Sequence, residues 1–247
     1  MKLLLQLLLA HFVADFILQP DSWVGKKAKG KVPTKMFWFH TAIHLSTLFI
    51  FTWNLMLWKV ILIITGMHAV IDYIKIIVRN NRSTLLFLID QLFHLLVIAI
   101  VWYFNQTEYI IVFGSLEPYI LLIITGIVFL TLPASIIIKH LLEPWKQKKQ
   151  KPENEEATRN SGYANPDEEK TSVYIGIVER ILILIFILKG QWQAIGFLIA
   201  AKSVFRFKDI KNESEIKMTE YILYGTLLSF AFAIITGVLI VEVKNLI

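Results

Sequence analysis

Six histidines occur in this 247-residue chain, and five of them fall within residues 1–104. His11 precedes Asp15 by four positions, His40 precedes His44, His68 precedes Asp72, and Asp90 precedes His94 by the same interval. Side chains four apart share one face of a helix, so each pair is a two-ligand face. Random placement sets a His four positions from a given Asp with odds of about one in ten; three of the four Asp in residues 1–104 have one. Imidazole nitrogen with carboxylate oxygen suits zinc, and also iron, manganese or nickel. The chain has no cysteine, so thiolate zinc sites, disulfides and Cys nucleophiles are excluded. Eight donors exceed one coordination shell; they suit two ions, or one ion with outer carboxylates that orient the imidazoles. A divalent ion (zinc first, manganese or iron as alternatives) would acidify a water, and one of Asp15, Asp72 or Asp90 would accept its proton. Such a centre hydrolyses esters, amides or phosphoesters.

The elements that must position these faces follow from composition. Hydrophobic residues make up 56% and charged residues 18% of the chain, against about 45–50% and 25% in soluble domains, and the mean hydropathy is +0.60. That excludes a soluble enzyme, a disordered tail and a nucleic-acid module. The net charge of +6 then reads as basic cytoplasmic loops rather than a polyanion site. Apolar stretches near 2–18, 37–57, 60–78, 85–104, 118–139, 173–189, 191–207 and 218–241 are expected as membrane spans, each close to the roughly 20 residues a bilayer needs. The expected fold is all-α, a polytopic bundle of about eight transmembrane helices. Lys26, Lys27, Lys29, Lys31 and Lys35, then Lys75, Arg79 and Arg82, and the basic stretches at 143–171 and 206–217 would all face the cytoplasm. Both termini would then be extracytoplasmic. All eight His and Asp would lie 3–10 positions from the inner end of their spans, about 5–15 Å deep. Lipid headgroups would meet them there.

Residues 143–171 break the hydropathy: they are charged, hold two prolines within 145–170 and have few large apolar side chains. A flexible cytoplasmic linker is expected, dividing a five-span domain (1–142) from a three-span domain (172–247). The first span lacks a convincing cleavage site and carries His11 and Asp15, so it reads as a retained helix rather than a signal peptide. Gln19 and Asp21 read as a solvated interface near Trp23 and the lysines. In the back half, Glu179 and Lys202 fall at similar depth on adjacent spans. They form either a structural ion pair or, with Arg206, an anion clamp in which Glu179 positions Lys202. His140 lies apart from the other histidines.

Three other readings compete with a hydrolytic metal centre. A lone intramembrane His usually bonds a neighbouring helix. Bis-His haem ligation would use the histidines but leaves three Asp unexplained. A proton- or divalent-cation pathway would use both residue types, yet the outer halves of these spans are uniformly apolar.

The runs HFVADFILQPD from His11, HAVIDYIK from His68 and FLIDQLFHLL from Phe87, with the His40/His44 pair, resemble a bacterial membrane family known as domain of unknown function 3307. The tail segments IGIVERILI, IGFLIAAKSVFRF and EYILYGTLLS resemble its longer members. A looser likeness joins the His/Asp pattern to YdjM-like inner-membrane proteins. That likeness implies a metal-dependent hydrolase in the bacterial cytoplasmic membrane; the expected depth of the site at the inner leaflet adds a lipid or lipid-linked substrate, with membrane lipids as partners, and the composition excludes nucleic acid.

Overall fold

The computed structural model describes residues 1–20, 23, 34–78, 84–105, 116–145, 166–206 and 213–245. Among these the regular structure is helical, with no strand. Two compact units are formed, one by Met1–Ile136 with Ile240–Ile247 and the other by Ile137–Leu239.

In the first unit, α1 (Lys2–Phe12) buries Leu3, Leu5, Leu7, Leu9 and Ala10. These positions circle the helix, so α1 is enclosed on every side rather than along one stripe. It packs against α2 (Lys35–Thr52), α4 (Thr84–Phe104) and α5 (Pro118–Leu130). Helix α3 (Trp58–Val78) packs between its chain neighbours α2 and α4. The outer faces of α3 and α4 leave Leu62, Ile63, Val70, Ile74, Leu92, Phe93 and Leu96 exposed. Apolar surface on this scale belongs against lipid.

Local chemistry sets the breaks. Trp53 ends α2 in the left-handed conformation, φ 44°, its N–H donating to Phe49 O at 2.8 Å. The Asn54 side chain then accepts from Met56 N at 2.9 Å and starts a single 3₁₀ turn at Leu55–Leu57. Between α5 and α6 (Leu132–Leu142), Thr131 interrupts the helix two residues before Pro133. Proline has no N–H to give and its ring crowds the carbonyl four residues back.

The second unit holds α7 (Pro166–Leu188), α8 (Trp192–Arg206) and most of α9 (Glu213–Lys244). Gly190, at φ +69°, turns the chain from α7 to α8, with Gly190 N donating to Ile187 O and Gln191 N to Phe186 O. A left-handed glycine is what this helix-ending motif requires.

Among the described residues, five helical segments are long and apolar enough to cross a membrane: Leu55–Val78, Thr84–Phe104, Pro118–Leu142, Thr171–Leu188 and Glu220–Lys244. The helical membrane bundle expected from composition is therefore present. The other three expected spans are shorter or more polar. Helix α1 with the turn after it ends at Ile17, α2 carries His40 and His44 among its 18 residues, and the apolar part of α8 is Trp192–Val204. Residues 146–165 of the expected linker lie outside the described residues, and α7 begins within its expected range, at Pro166. Asp21, Lys26, Lys27, Lys29, Lys31, Arg79 and Arg82 also lie outside the described residues.

Candidate metal centre

Helix α1 does not run as an α-helix to its end. At Val13 it widens into a π-turn, Val13–Ile17, with Leu18 N donating to Val13 O at 2.9 Å. Such one-turn widenings recur where a side chain must be re-aimed at a functional site. Here the widened turn carries Asp15, and Asp15 Oδ1 becomes the point on which three imidazoles from α2 and α3 converge.

His44 Nε2 donates to Asp15 Oδ1 at 2.6 Å, while His40 Nε2 and His68 Nε2 lie 3.1 and 3.6 Å from the same oxygen. His40 Nε2 and His68 Nε2 are 3.1 Å apart. Donors held about 2.0–2.1 Å from one ion stand roughly 3.0–3.4 Å from each other. Two edges of the triangle Asp15, His40 and His68, at 3.1 Å each, are of that size and the third, at 3.6 Å, is slightly longer, with His44 against its carboxylate corner. Asp72 Oδ2 follows at 3.7 Å from His40 Nε2 and 3.9 Å from His68 Nε2. His40, His44 and His68 are at most 3% exposed.

Two further pairs adjoin this triangle. His11 Nε2 is 3.9 Å from Asp15 Oδ2, and the His11 ring lies 5.4 Å from that of His94. On α4, His94 Nδ1 is 4.0 Å from Asp90 Oδ2, which receives the Lys75 ammonium from α3. Three overlapping donor groups result, each with all its ligand atoms within 4.8 Å: His11, Asp15, His44 and His68; His40, His68 and Asp72; Asp72, Asp90 and His94. All eight residues singled out by their spacing are thus brought together. A cavity of about 10 Å³, room for one water, is lined by His11, His44, His68 and His94 beside Leu48, Ile64 and Ile98.

The donor set fits a divalent ion on two further observations. Buried side-chain atoms without a hydrogen bond include His11 Nε2, His40 Nδ1, Asp90 Oδ1 and both ring nitrogens of His94. A buried polar atom left unpaired costs roughly 1–3 kcal/mol, so a concentration of them at one point is the mark of a missing partner. With neutral imidazoles, three carboxylates and Lys75 also leave two negative charges within the cluster, which one divalent ion would balance.

The spacing of His and Asp did not reveal two partners. Gln91 Nε2 bridges Asp15 Oδ2 and Asp90 Oδ2, both at 3.3 Å. In the sequence Lys75 looks like one more loop charge, although its position seven residues after His68 and three after Asp72 sets it on their face of α3. In the second unit, Lys202 donates to Glu179 and its Nζ lies 5.4 Å from the Phe230 ring. The ion-pair geometry expected of these two residues is present; the Arg206 side chain lies outside the described residues. Arg180, 3% exposed, donates to Ser229 Oγ at 3.0 Å, a pairing with no signal in the sequence. His140 sits apart, 3.7 Å from Glu143.

No curated protein and no solved structure matches the chain, so the likeness to YdjM-like proteins rests on the His/Asp pattern alone. Residues 3–117, a segment that holds all eight His and Asp donors, match the model of the family described as Protein of unknown function (DUF3307), the family that the sequence runs resemble.

Proposed function

We propose that the protein is a metal-dependent hydrolase of the bacterial cytoplasmic membrane, acting on a lipid or lipid-linked substrate. The observation that carries this reading is the convergence of His40, His44 and His68 on Asp15 Oδ1 inside an apolar helical bundle. A bound divalent ion, zinc first with manganese or iron as alternatives, would supply Lewis acidity and an acidified water. The chain's own residues divide the remaining work. Asp15 is surrounded by imidazoles and suits coordination. Asp90 is engaged by Lys75. Asp72, 12% exposed and close to both His40 and His68, is the carboxylate best placed to accept a proton from water. With the basic loops in the cytoplasm, the centre lies near the inner leaflet, where ester and phosphoester headgroups are found. Lys202, positioned by Glu179, and Arg206 would hold an anionic headgroup.

A bare ion fits better than haem. The His44 and His68 rings stack with centroids 3.6 Å apart, which leaves no gap for a macrocycle. A cation or proton pathway has one observation in its favour, the polar string Lys75–Asp90–Gln91–Asp15 running from a half-exposed ammonium to the centre. Uptake by proteoliposomes separates the two, since a hydrolase moves no ion.

The first test is elemental mass spectrometry of the detergent-purified protein beside a His40→Ala/His44→Ala variant. One or two equivalents of metal, lost in the variant along with hydrolysis of lipid esters, are expected. Full metal content in the variant would overturn the ligand assignment.

A further inference from the structure

The eight donors do not form one uniform cluster, and the difference between their two ends points to a second site. Around Asp15, nitrogens and oxygen already stand at coordination spacing. At the other end, Asp72, Asp90 and His94 offer one ligand atom each within 4.8 Å. There His94 has no hydrogen bond at either ring nitrogen and Asp90 has none at Oδ1. These two residues are 3% and 5% exposed. Nothing in a purely structural polar core explains a histidine left unpaired on both sides, because the packing could have been filled by an apolar residue at lower cost.

What occupies the cation position beside them is the Lys75 ammonium. It donates to Asp90 Oδ2, the oxygen nearest His94, and its Nζ lies 5.7 Å from the Phe87 ring. The Lys75 side chain is 40% exposed while that of Asp90 is 4% exposed, so this charge reaches in from the helix end and can withdraw along its flexible stem. Charge balance agrees. One divalent ion at the Asp15 centre plus the Lys75 ammonium neutralises Asp15, Asp72 and Asp90; removing the lysine leaves one carboxylate uncompensated in an apolar bundle, where that is costly.

We propose that Asp72, Asp90 and His94 form a second divalent-cation site whose cation position is filled by the ammonium of Lys75, so that the protein takes up one ion until that lysine is withdrawn. This rests on the reading that a metal binds at the Asp15 centre. In this arrangement Lys75 sets whether the site works with one ion or two. It also holds Asp72 available as a proton acceptor, since a second ion would draw that carboxylate into its own shell.

Zinc titration of the detergent-purified full chain, followed by removal of free zinc and elemental analysis, tests the proposal. Wild type is expected to retain one equivalent, Lys75→Met two, Lys75→Arg one, and Lys75→Met/His94→Ala one. Monodisperse elution checks the fold; if the methionine variant aggregates, Lys75→Gln carries the same expectation and the same refutation. Two equivalents in wild type, or one in the neutral variants, would overturn the proposal while leaving the metal centre standing. No zinc in wild type or in any variant would overturn the metal centre itself, and this proposal with it.

Discussion

Within residues 6–94 lie all the described buried side-chain nitrogens and oxygens that make no hydrogen bond, and most of them belong to the His/Asp cluster. The unit Ile137–Leu239 also buries charge in apolar helices, yet there Arg180 donates to Ser229 and Lys202 to Glu179. Both regions bear the expense of polar groups at membrane depth. One satisfies them with each other; the other leaves donors aimed at a common point. That difference separates polarity used to fasten helices from polarity kept for a ligand.

Substitutions can break this contrast. Asp15→Asn removes the oxygen on which three imidazoles converge, and metal affinity should fall by more than the roughly 10–100-fold typical of an outer partner. Isothermal titration with zinc reads this directly, and an unchanged affinity would erase the distinction. Gln91→Leu removes the bridge between Asp15 and Asp90 but no ligand; a loss of about 10–100-fold is expected, with stoichiometry kept. In the second unit, the effects should appear in stability alone. A Cβ on Gly237 would stand 2.7 Å from Ile187 Cδ1 and 3.2 Å from its Cβ, so Gly237→Ala should cost about 1–3 kcal/mol of helix packing. Gly66 on α3 has nothing within 4 Å of such an atom, and Gly66→Ala should cost nothing measurable. Ser229→Ala should be smaller still than Gly237→Ala, about 0.6 kcal/mol. Denaturation in detergent measures all three, and metal content should stay constant throughout. A loss of metal in Ser229→Ala would join the two regions into one functional device.

Much of the centre could be read before any geometry. A four-residue interval has one meaning on a helix, and four such intervals at matched depth needed no tertiary information. The Glu179–Lys202 proximity was legible for a similar reason, from the short turn at Gly190. Other features left no trace. Lys75 looks like every other basic residue at a helix end until Asp90 is seen beneath it. Ser229 is one hydroxyl in a long apolar run, and only the approach of α7 gives it a partner. The division of the eight donors into a triangle and an adjoining pair depends on differences of about an ångström, which no periodicity carries. Span lengths were blurred where function intrudes, since two histidines lower the hydropathy of α2.

The π-turn at Val13–Ile17 makes the number of residues in the first helix as consequential as their identity. A widened turn stores one residue more than the α-helix around it, and deleting Val13 would let the segment close into regular α-helix. The turns on either side would stay in phase, because the residue removed is the stored one. The change would fall on the residues inside the turn: Asp15, then three rather than four positions after His11, would be re-aimed away from the imidazoles while Leu3, Leu7, Ala10 and His11 kept their places. Side-chain exchange can be tolerated or compensated at most positions in such a helix; loss of the stored residue cannot. The segment therefore acts as a gauge, and its count of residues is what aims Asp15 at the helices that face it.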